Sequence, residues 1–183
     1  CHIRILYGNL SPNGCVAKIS GKEGTYFRGQ ALVYESENEA INGLKSLNIN
    51  QDNKKVIVIR NQGPKGGPGM PEMLKPTSSL VGSGLEKDIA LITDGRFSGG
   101  SHGFIIGHVS PEAYDKGPIA LVENGDEIEI DAVNNTINII IDDKVLNERY
   151  NNLEIPNTKI NKNYLKKYRN LVSCASEGCI TAK

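Results

Sequence analysis

The sequence predicts an α+β or layered β/β/α domain. Roughly eight to ten short apolar or alternating segments indicate strands, and three or four segments with helical periodicity indicate helices. The two kinds of segment do not alternate regularly, as they would in a parallel βαβ architecture, and the sequence is not all-β. No Gly-x-Gly-x-x-Gly pattern follows the first strand, so a dinucleotide-binding fold is disfavoured.

Length and charge narrow the class of partner. The 183 residues are enough to bury one core and favour a single domain. The 21 basic and 21 acidic residues give zero net charge, so we expect no nucleic-acid partner and no acidic membrane surface. No apolar run reaches the roughly 20 residues of a spanning helix, and a signal-peptide pattern is lacking. Because the chain starts with Cys1 and not Met, we expect a piece of a longer protein.

The first part of the chain is predicted to contain three strands and one helix. The strands are expected at residues 3–6, 16–19 and 26–34, with a turn at 11–14. Ser36 is the predicted N-cap of the helix, with Glu39 three residues later as in a capping box. Helical spacing of apolar residues follows at Ala40, Ile41, Leu44 and Leu47.

Glu72 lies in a predicted connection between a strand and a helix. A strand at 55–60 enters a loop at 61–69 with four glycines and two prolines, which we interpret as rigid and not as a linker. Residues 70–74 are predicted to begin a helix, with Pro71 in its first turn. Glu72 would then lie where the helix dipole favours a carboxylate. It is either a surface residue that complements the dipole or a metal ligand.

The stretch 88–113 contains the residue most indicative of chemistry. Residues 89–92 have the composition of a buried strand, and 93–95 signal a turn. Ser98 then lies between Phe97 and two glycines, which allow positive φ and close approach of another group. One interpretation is a tight loop between strands. The other is a hydroxyl presented to a ligand.

The remainder of the chain is predicted to be mainly β and then helical. Strands are expected at residues 103–109, 119–122, 127–130 and 137–141, with a helical turn at 111–113. Turns are indicated at 124–125, as part of a hairpin, and at 134–135. Helices are expected from 142 to 150 and over 165–172, with an extended arm at 151–163.

The four cysteines do not form a metal-binding pattern. Cys1, Cys15, Cys174 and Cys179 include no Cys-x-x-Cys pair. Reduced thiols are expected, and a Cys174–Cys179 disulfide is disfavoured because nothing indicates secretion.

Five segments together resemble one enzyme family. They are GNLSPNGCVAKISGKEG at 8–24, GPKGGPGMPEM at 63–73, TDGRFSGGSHG at 93–103, GHVSPEA at 107–113 and LVSCASEGC at 171–179. In this order and spacing they are similar to the C-terminal domain of the dihydroxy-acid/6-phosphogluconate dehydratase family, and within it to the dihydroxy-acid branch. The resemblance covers nearly the whole chain.

The resemblance implies a fold and a reaction. The fold would be a swivelling β/β/α-type domain with a β-barrel-like core and peripheral helices. Residues 1–183 would be the C-terminal domain of a larger dehydratase whose N-terminal domain, which binds an iron–sulfur cluster, is absent from this chain. The enzyme would be a hydro-lyase that converts 2,3-dihydroxy-3-methyl acids to 2-keto acids in valine and isoleucine biosynthesis.

Site residues are carried over from the resemblance by position. Ser98 would be the catalytic base, acting as an alkoxide, and Glu72 would be a ligand of Mg²⁺. Weaker substrate-binding candidates are Arg96, Gly99, Gly100 and Ser101, although Arg96 would serve equally as a structural partner of Asp94. For His102 and His108 a packing or hydrogen-bonding role is favoured over that of a general acid.

The resemblance also implies binding partners, and two alternative functions remain open. Partners would be a small dihydroxy acid, the N-terminal domain and a second copy in a homodimer, in the cytoplasm or the plastid stroma. The isolated chain is expected to be inactive. The alternatives are a sugar-acid dehydratase, acting on phosphogluconate or a pentonate, and a non-catalytic domain that binds a protein or an anion.

Overall fold

The computed structural model describes residues 3–19, 21–45, 53–99, 103–154 and 163–182. The described strands are β1 (Ile3–Gly8), β2 (Ser11–Lys18), β3 (Tyr26–Tyr34), β4 (Lys55–Ile59), β5 (Glu72–Met73), β6 (Ile89–Thr93), β7 (Arg96–Phe97), β8 (Ile105–Gly107), β9 (Glu127–Asp131) and β10 (Thr136–Ile140). The described helices are α1 (Glu37–Lys45), α2 (Lys75–Ser83), α3 (Asp143–Asn151) and α4 (Asn163–Leu171).

Eight of these strands close into a barrel. Their order around it is β1-β10-β9-β3-β4-β6-β8-β2, and β5 and β7 form a separate two-stranded sheet. β3, β4, β6 and β8 run parallel to one another, whereas β9 and β2 pair antiparallel with the two ends of this group. The predicted α+β fold with a barrel-like core and peripheral helices is confirmed.

The parallel strands are buried on both faces, which explains their continuous apolar sequences. In β4, Val56 and Val58 belong to the cluster that fills the barrel. Ile57 and Ile59 belong to a second cluster outside the barrel, together with residues of α1 and α2 such as Ala40 and Leu80. Two cores therefore hold β4 and β6 in place.

Side-chain caps define where two helices begin. The amide of Glu39 donates to Ser36 Oγ at 3.3 Å, and Glu39 Oε2 accepts from the amide of Glu35 at 3.0 Å. The Asp142 side chain accepts from the amide of Lys144 at 2.8 Å. Both helix starts were predicted from these residue types.

Residues 70–74 do not begin a helix, so that prediction is wrong. Glu72 lies in β5, and α2 begins at Lys75 with Pro76 in its first turn. The extended conformation is set by pairing with β7, a contact that the local sequence does not reveal. The helix-dipole argument therefore does not apply to Glu72.

Three other predicted elements are displaced. Residues 11–14 begin β2, because the chain turns earlier, where Asn9 exchanges hydrogen bonds with the backbone of Ile139 at 2.8 and 2.9 Å. Residues 118–121 form a 3-10 helix that starts at a proline, so no strand precedes the turn at 124–125 to make a hairpin. The strand at 103–109 contracts to β8, which ends before His108 at φ +56°.

Several predictions lie outside the described residues. They concern Cys1, Leu47, Gly100, Ser101, His102 and most of the arm at 151–163. Cys15, Cys174 and Cys179 are free thiols, as expected. Among the helices of the described ranges, none has the length and apolar character needed to cross a membrane.

Candidate functional site

The candidate site lies where β4 and β6 end. These parallel strands are neighbours and stay in register to their last residues, with Ile59 opposite Thr93. Loops that follow parallel strands emerge at one edge of the sheet, and ligands commonly bind at such an edge. The glycine-rich loop after β4 therefore lies beside the segment that carries Ser98.

Asp94, which follows β6, is fully buried and joins three segments. Its carboxylate accepts hydrogen bonds from the amides of Asn61 at 3.0 Å, Gln62 at 2.8 Å and Ala113 at 2.9 Å. Burial raises the pKa of Asp94 to about 6, and the hydrogen bonds from these three amides offset part of the shift. Asp94 thus anchors the glycine-rich loop, and no salt bridge between the described residues joins it to Arg96.

Glu112 is a second buried carboxylate beneath the same loop. It accepts hydrogen bonds from the amides of Lys65 at 2.9 Å and Gly66 at 2.7 Å. Burial raises the pKa of Glu112 to about 7, although the two amides oppose the shift, and the charge of Asp94 adds to it. Gly63 packs so closely that a Cβ there would lie 2.6 Å from Glu112 Oε2.

The two-stranded sheet carries most of the predicted site residues. β5 and β7 pair in parallel, with Glu72 opposite Arg96 and Met73 opposite Phe97. Adjacent strands are about 4.8 Å apart, so Glu72 and Arg96 are side by side. Arg96 Nε donates to the carbonyl oxygen of Met70 at 2.7 Å, which ties β7 to the end of the glycine-rich loop.

Ser98 follows this sheet directly and is half-buried. Its amide donates to the carbonyl oxygen of Met73 at 3.2 Å, which extends the pairing by one residue. Phe97 packs against the second hydrophobic cluster, outside the barrel. Side chains alternate between the two faces along a strand. This alternation assigns Ser98 to the same face of the small sheet as Glu72 and Arg96.

Ser98 lines a recess of about 200 Å³ between β2, β7 and β8. Lys18, at the end of β2, also lines it, and Lys18 Nζ donates to the carbonyl oxygen of Gly99. The apolar wall of the recess is formed by Ile3, Val16, Phe97 and Ile105. An ammonium group and a hydroxyl therefore share a partly apolar space.

His108 separates this recess from a second one. Its amide donates to the carbonyl oxygen of Gly95 at 2.8 Å. Burial, helped by the charge of Arg96, lowers the pKa of His108, so the imidazole is neutral near pH 7. The second recess, of about 310 Å³, is bordered by β1, β2 and the turn that contains Ser176. A packing or hydrogen-bonding role for His108 stays a prediction.

Glu72 has a carboxylate that could provide one ligand to a metal ion. It is exposed, and its carboxylate forms no hydrogen bond or ion pair with another described residue. Such free carboxylate oxygens suit Mg²⁺. Within the ranges that the structure describes, no three His, Cys, Asp or Glu side chains come together as a metal-binding group.

The fold brings four of the predicted site residues together. Glu72, Arg96, Ser98 and Gly99 lie on or next to the small sheet. Gly100 and Ser101, the other two substrate-binding candidates, lie outside the described residues.

Sequence reasoning did not predict how four polar residues contribute to the site. The sequence predicts Asp94 as a turn residue and a partner of Arg96, and Glu112 as part of a helical turn. An acidic residue directly after a buried strand, as Asp94 is, is a signal for a backbone anchor. His108 was recognised without its place in the recess. Lys18 carried no local signal, because it reaches the site only through the pairing of β2 with β8.

Comparison with known proteins identifies the family. The chain matches the family described as dihydroxy-acid/6-phosphogluconate dehydratase C-terminal over residues 1–179. This match covers every residue of the candidate site.

Similar proteins are named dihydroxy-acid dehydratases. The chain is 56% identical over 180 residues to that of Francisella tularensis subsp. novicida, 55% over 179 residues to the mitochondrial protein of Saccharomyces cerevisiae, and 54% over 180 residues to that of Lactococcus lactis subsp. lactis. Each match covers 98% of this chain but 31 or 32% of the relative, so the chain spans about a third of their length. The chain therefore belongs to the dihydroxy-acid/6-phosphogluconate dehydratase family, as the C-terminal domain of its members.

Proposed function

We propose that this domain supplies the base of a dihydroxy-acid dehydratase, a hydro-lyase that converts 2,3-dihydroxy-3-methyl acids to 2-keto acids. The substrates are 2,3-dihydroxyisovalerate and its methylvalerate homologue, in valine and isoleucine biosynthesis. The observation that carries the proposal is the β5–β7 pairing, which aligns Glu72 with the strand leading to Ser98. The names of relatives at 54–57% identity support this substrate class over sugar acids.

The reaction requires a strong base at one carbon. A proton leaves C2 and hydroxide leaves C3, which together make one water, and the resulting enol takes a proton at C3 and loses the proton of its C2 hydroxyl to become the keto acid. The C2 proton is barely acidic, and serine is a weak base unless positive charge stabilises its deprotonated form. In its deprotonated form, Ser98 Oγ accepts the C2 proton. The loop that carries Ser98 is held by the hydrogen bond from the Ser98 amide to the carbonyl oxygen of Met73.

Metal groups of the longer protein complete this chemistry. When bound, an iron–sulfur cluster and Mg²⁺ supply Lewis acidity at the C3 hydroxyl and at the substrate carboxylate and C2 hydroxyl. Glu72 gives one hard oxygen ligand for Mg²⁺, and its exposed carboxylate, which has no partner among the described residues, fits that role. We assign the cluster ligands and the other magnesium ligands to the N-terminal domain.

Arg96 and the glycine-rich segment after Ser98 orient the substrate in this proposal. Arg96 Nε donates a hydrogen bond to the carbonyl oxygen of Met70, and the Nη atoms of Arg96 have no partner among the described residues. A guanidinium in this position suits a carboxylate. Nothing lies within 4 Å of a Cβ built at Gly99, so this residue leaves open space for substrate, and Gly100 and Ser101 continue the segment.

The proposal is tested by replacing Ser98 in the full-length enzyme loaded with its metal groups. We expect Ser98→Ala to lower kcat for 2,3-dihydroxyisovalerate by about 10²- to 10⁴-fold, because a general base is removed. The absorbance of the cluster should not change. Ser78→Ala, at an exposed position of α2, is the matched control and should keep normal turnover.

The same assay separates the alternatives. Turnover of phosphogluconate or a pentonate in preference to the branched acid would assign the protein to the sugar-acid branch. Near-normal turnover by Ser98→Ala would exclude Ser98 as the base and favour a domain that only binds.

A further inference from the structure

Lys18 contacts the segment that carries the base, although it is not among the site residues predicted from the sequence. Its Nζ donates to the carbonyl oxygen of Gly99, the residue after Ser98. Its backbone is held on both sides, since Lys18 is the register partner of Ile3 in β1 and Ile105 in β8. The ammonium is therefore presented from a rigid part of the barrel and not from a loop.

The charge of Lys18 is not neutralised by the part of the chain that the structure describes. None of the salt bridges between described residues includes Lys18. Among the described residues, the other charged or titratable groups near this region are Arg96 and Glu72, which pair in the small sheet, and His108, which lines the recess and whose pKa is lowered by burial. Lys18 is thus the ammonium that lines the Ser98 recess among the described residues.

We propose that Lys18 is a positioning residue for the reaction, which holds a positive charge beside Ser98 and fixes the Gly99 carbonyl. This inference rests on the proposed function. In this role Lys18 gives no proton to the substrate and takes none from it. Its charge favours the deprotonated hydroxyl of Ser98, because an opposite charge within a few ångströms favours the charged form of a group. The hydrogen bond to Gly99 keeps the serine at one position in the recess.

The experiment uses the full-length, metal-loaded enzyme and 2,3-dihydroxyisovalerate with either hydrogen or deuterium at C2. We expect Lys18→Met to lower kcat by about 10- to 1000-fold, with KM changed less than about threefold. The isotope effect on kcat should rise, since removal of the C2 proton becomes slower relative to the other steps. Lys18→Arg, which keeps the charge, should recover most of the activity.

A further variant separates charge from hydrogen bonding. Lys18→Gln keeps a donor for the Gly99 carbonyl but has no charge, so it should lose activity as Lys18→Met does. Lys144→Met, at an exposed position of α3, is the matched control. If Lys18→Met does not fold, the comparison of Lys18→Gln with Lys18→Arg decides the question.

Two outcomes would overturn the inference. One is a kcat for Lys18→Met or Lys18→Gln within threefold of the parent enzyme. The other is an equal loss in the Arg and Gln variants with an unchanged isotope effect, which indicates only a structural role. Ser98→Ala is measured in parallel: if it is inactive while Lys18→Gln is normal, only the inference about Lys18 fails, and if Ser98→Ala is active, the proposed function fails first.

Discussion

At the scale of single residues, Gly63 shows how little space the glycine-rich loop leaves. A Cβ at this position would lie 2.6 Å from Glu112 Oε2, and that carboxylate cannot retreat because it accepts the amides of Lys65 and Gly66. We expect Gly63→Ala to lower the free energy of unfolding by about 1–3 kcal/mol, as overpacking does. Denaturant unfolding of the 183-residue chain measures this change.

Gly82→Ala is the matched control for Gly63→Ala. Gly82 lies inside α2, and nothing is within 4 Å of a Cβ built there. Alanine should therefore stabilise the chain by about 0.5–1 kcal/mol, because it lowers the entropy of the unfolded state and favours the helix. Equal losses in both variants would contradict the packing argument for Gly63.

At the scale of elements, the glycine-rich loop after β4 is held by buried carboxylates, which makes its stability depend on pH. Burial raises the pKa of Glu112 to about 7 from an ordinary value of 4.5. The folded state therefore binds this proton more tightly than the unfolded state. The contribution of Glu112 to the free energy of unfolding is fully present below pH 4.5 and is lost as pH rises through about 7.

Replacing Glu112 tests this dependence. Glu112→Gln should flatten the fall of the free energy of unfolding between about pH 4.5 and 7, by an amount on the order of 3 kcal/mol. Urea unfolding at half-unit pH steps measures the slope. Glu148→Gln, at an exposed position of α3, should leave it unchanged. A slope that is the same in Glu112→Gln and in the parent chain would show that Glu112 does not titrate in this range.

At the scale of the whole molecule, the closed barrel with its own filled interior indicates a domain that folds alone. Its interior cluster draws residues from strands all around the barrel and from the segments at 104–122. We expect the 183-residue chain to unfold in a single cooperative transition, followed by circular dichroism. It should not dehydrate 2,3-dihydroxyisovalerate, since Glu72 alone does not make a metal site. Turnover by the isolated chain would contradict the assignment of the remaining ligands to another domain.

Much of the fold could be predicted because its signals are local. The observed bounds of β3 are the predicted ones, and continuous apolar runs predict β4 and β6. The caps of α1 and α3 were found from Ser36 and Asp142. Ser98 was singled out by its place after a buried strand and before glycine.

The errors arose where distant segments determine local structure. Residues 72–73 are extended because β7 pairs with them, not because of their own composition. The predicted strand at 119–122 is a 3-10 helix that begins at Pro118, and the loop before β9 is bound to Ala31 through the amide of Gly125. Such contacts are not encoded in the spacing of neighbouring residues.

The sequence by itself determined the fold class, the family and the serine and carboxylate candidates, since periodicity, caps and motifs depend on residues close together in the chain. Only the tertiary structure decided which groups surround Ser98. Lys18 and Gly99 are 81 residues apart, and Asp94 and Glu112 act on amides of a loop more than 30 residues earlier. The register of β4 with β6 and of β2 with β8 brings these neighbours together, and register is a property of paired strands that neither strand possesses alone.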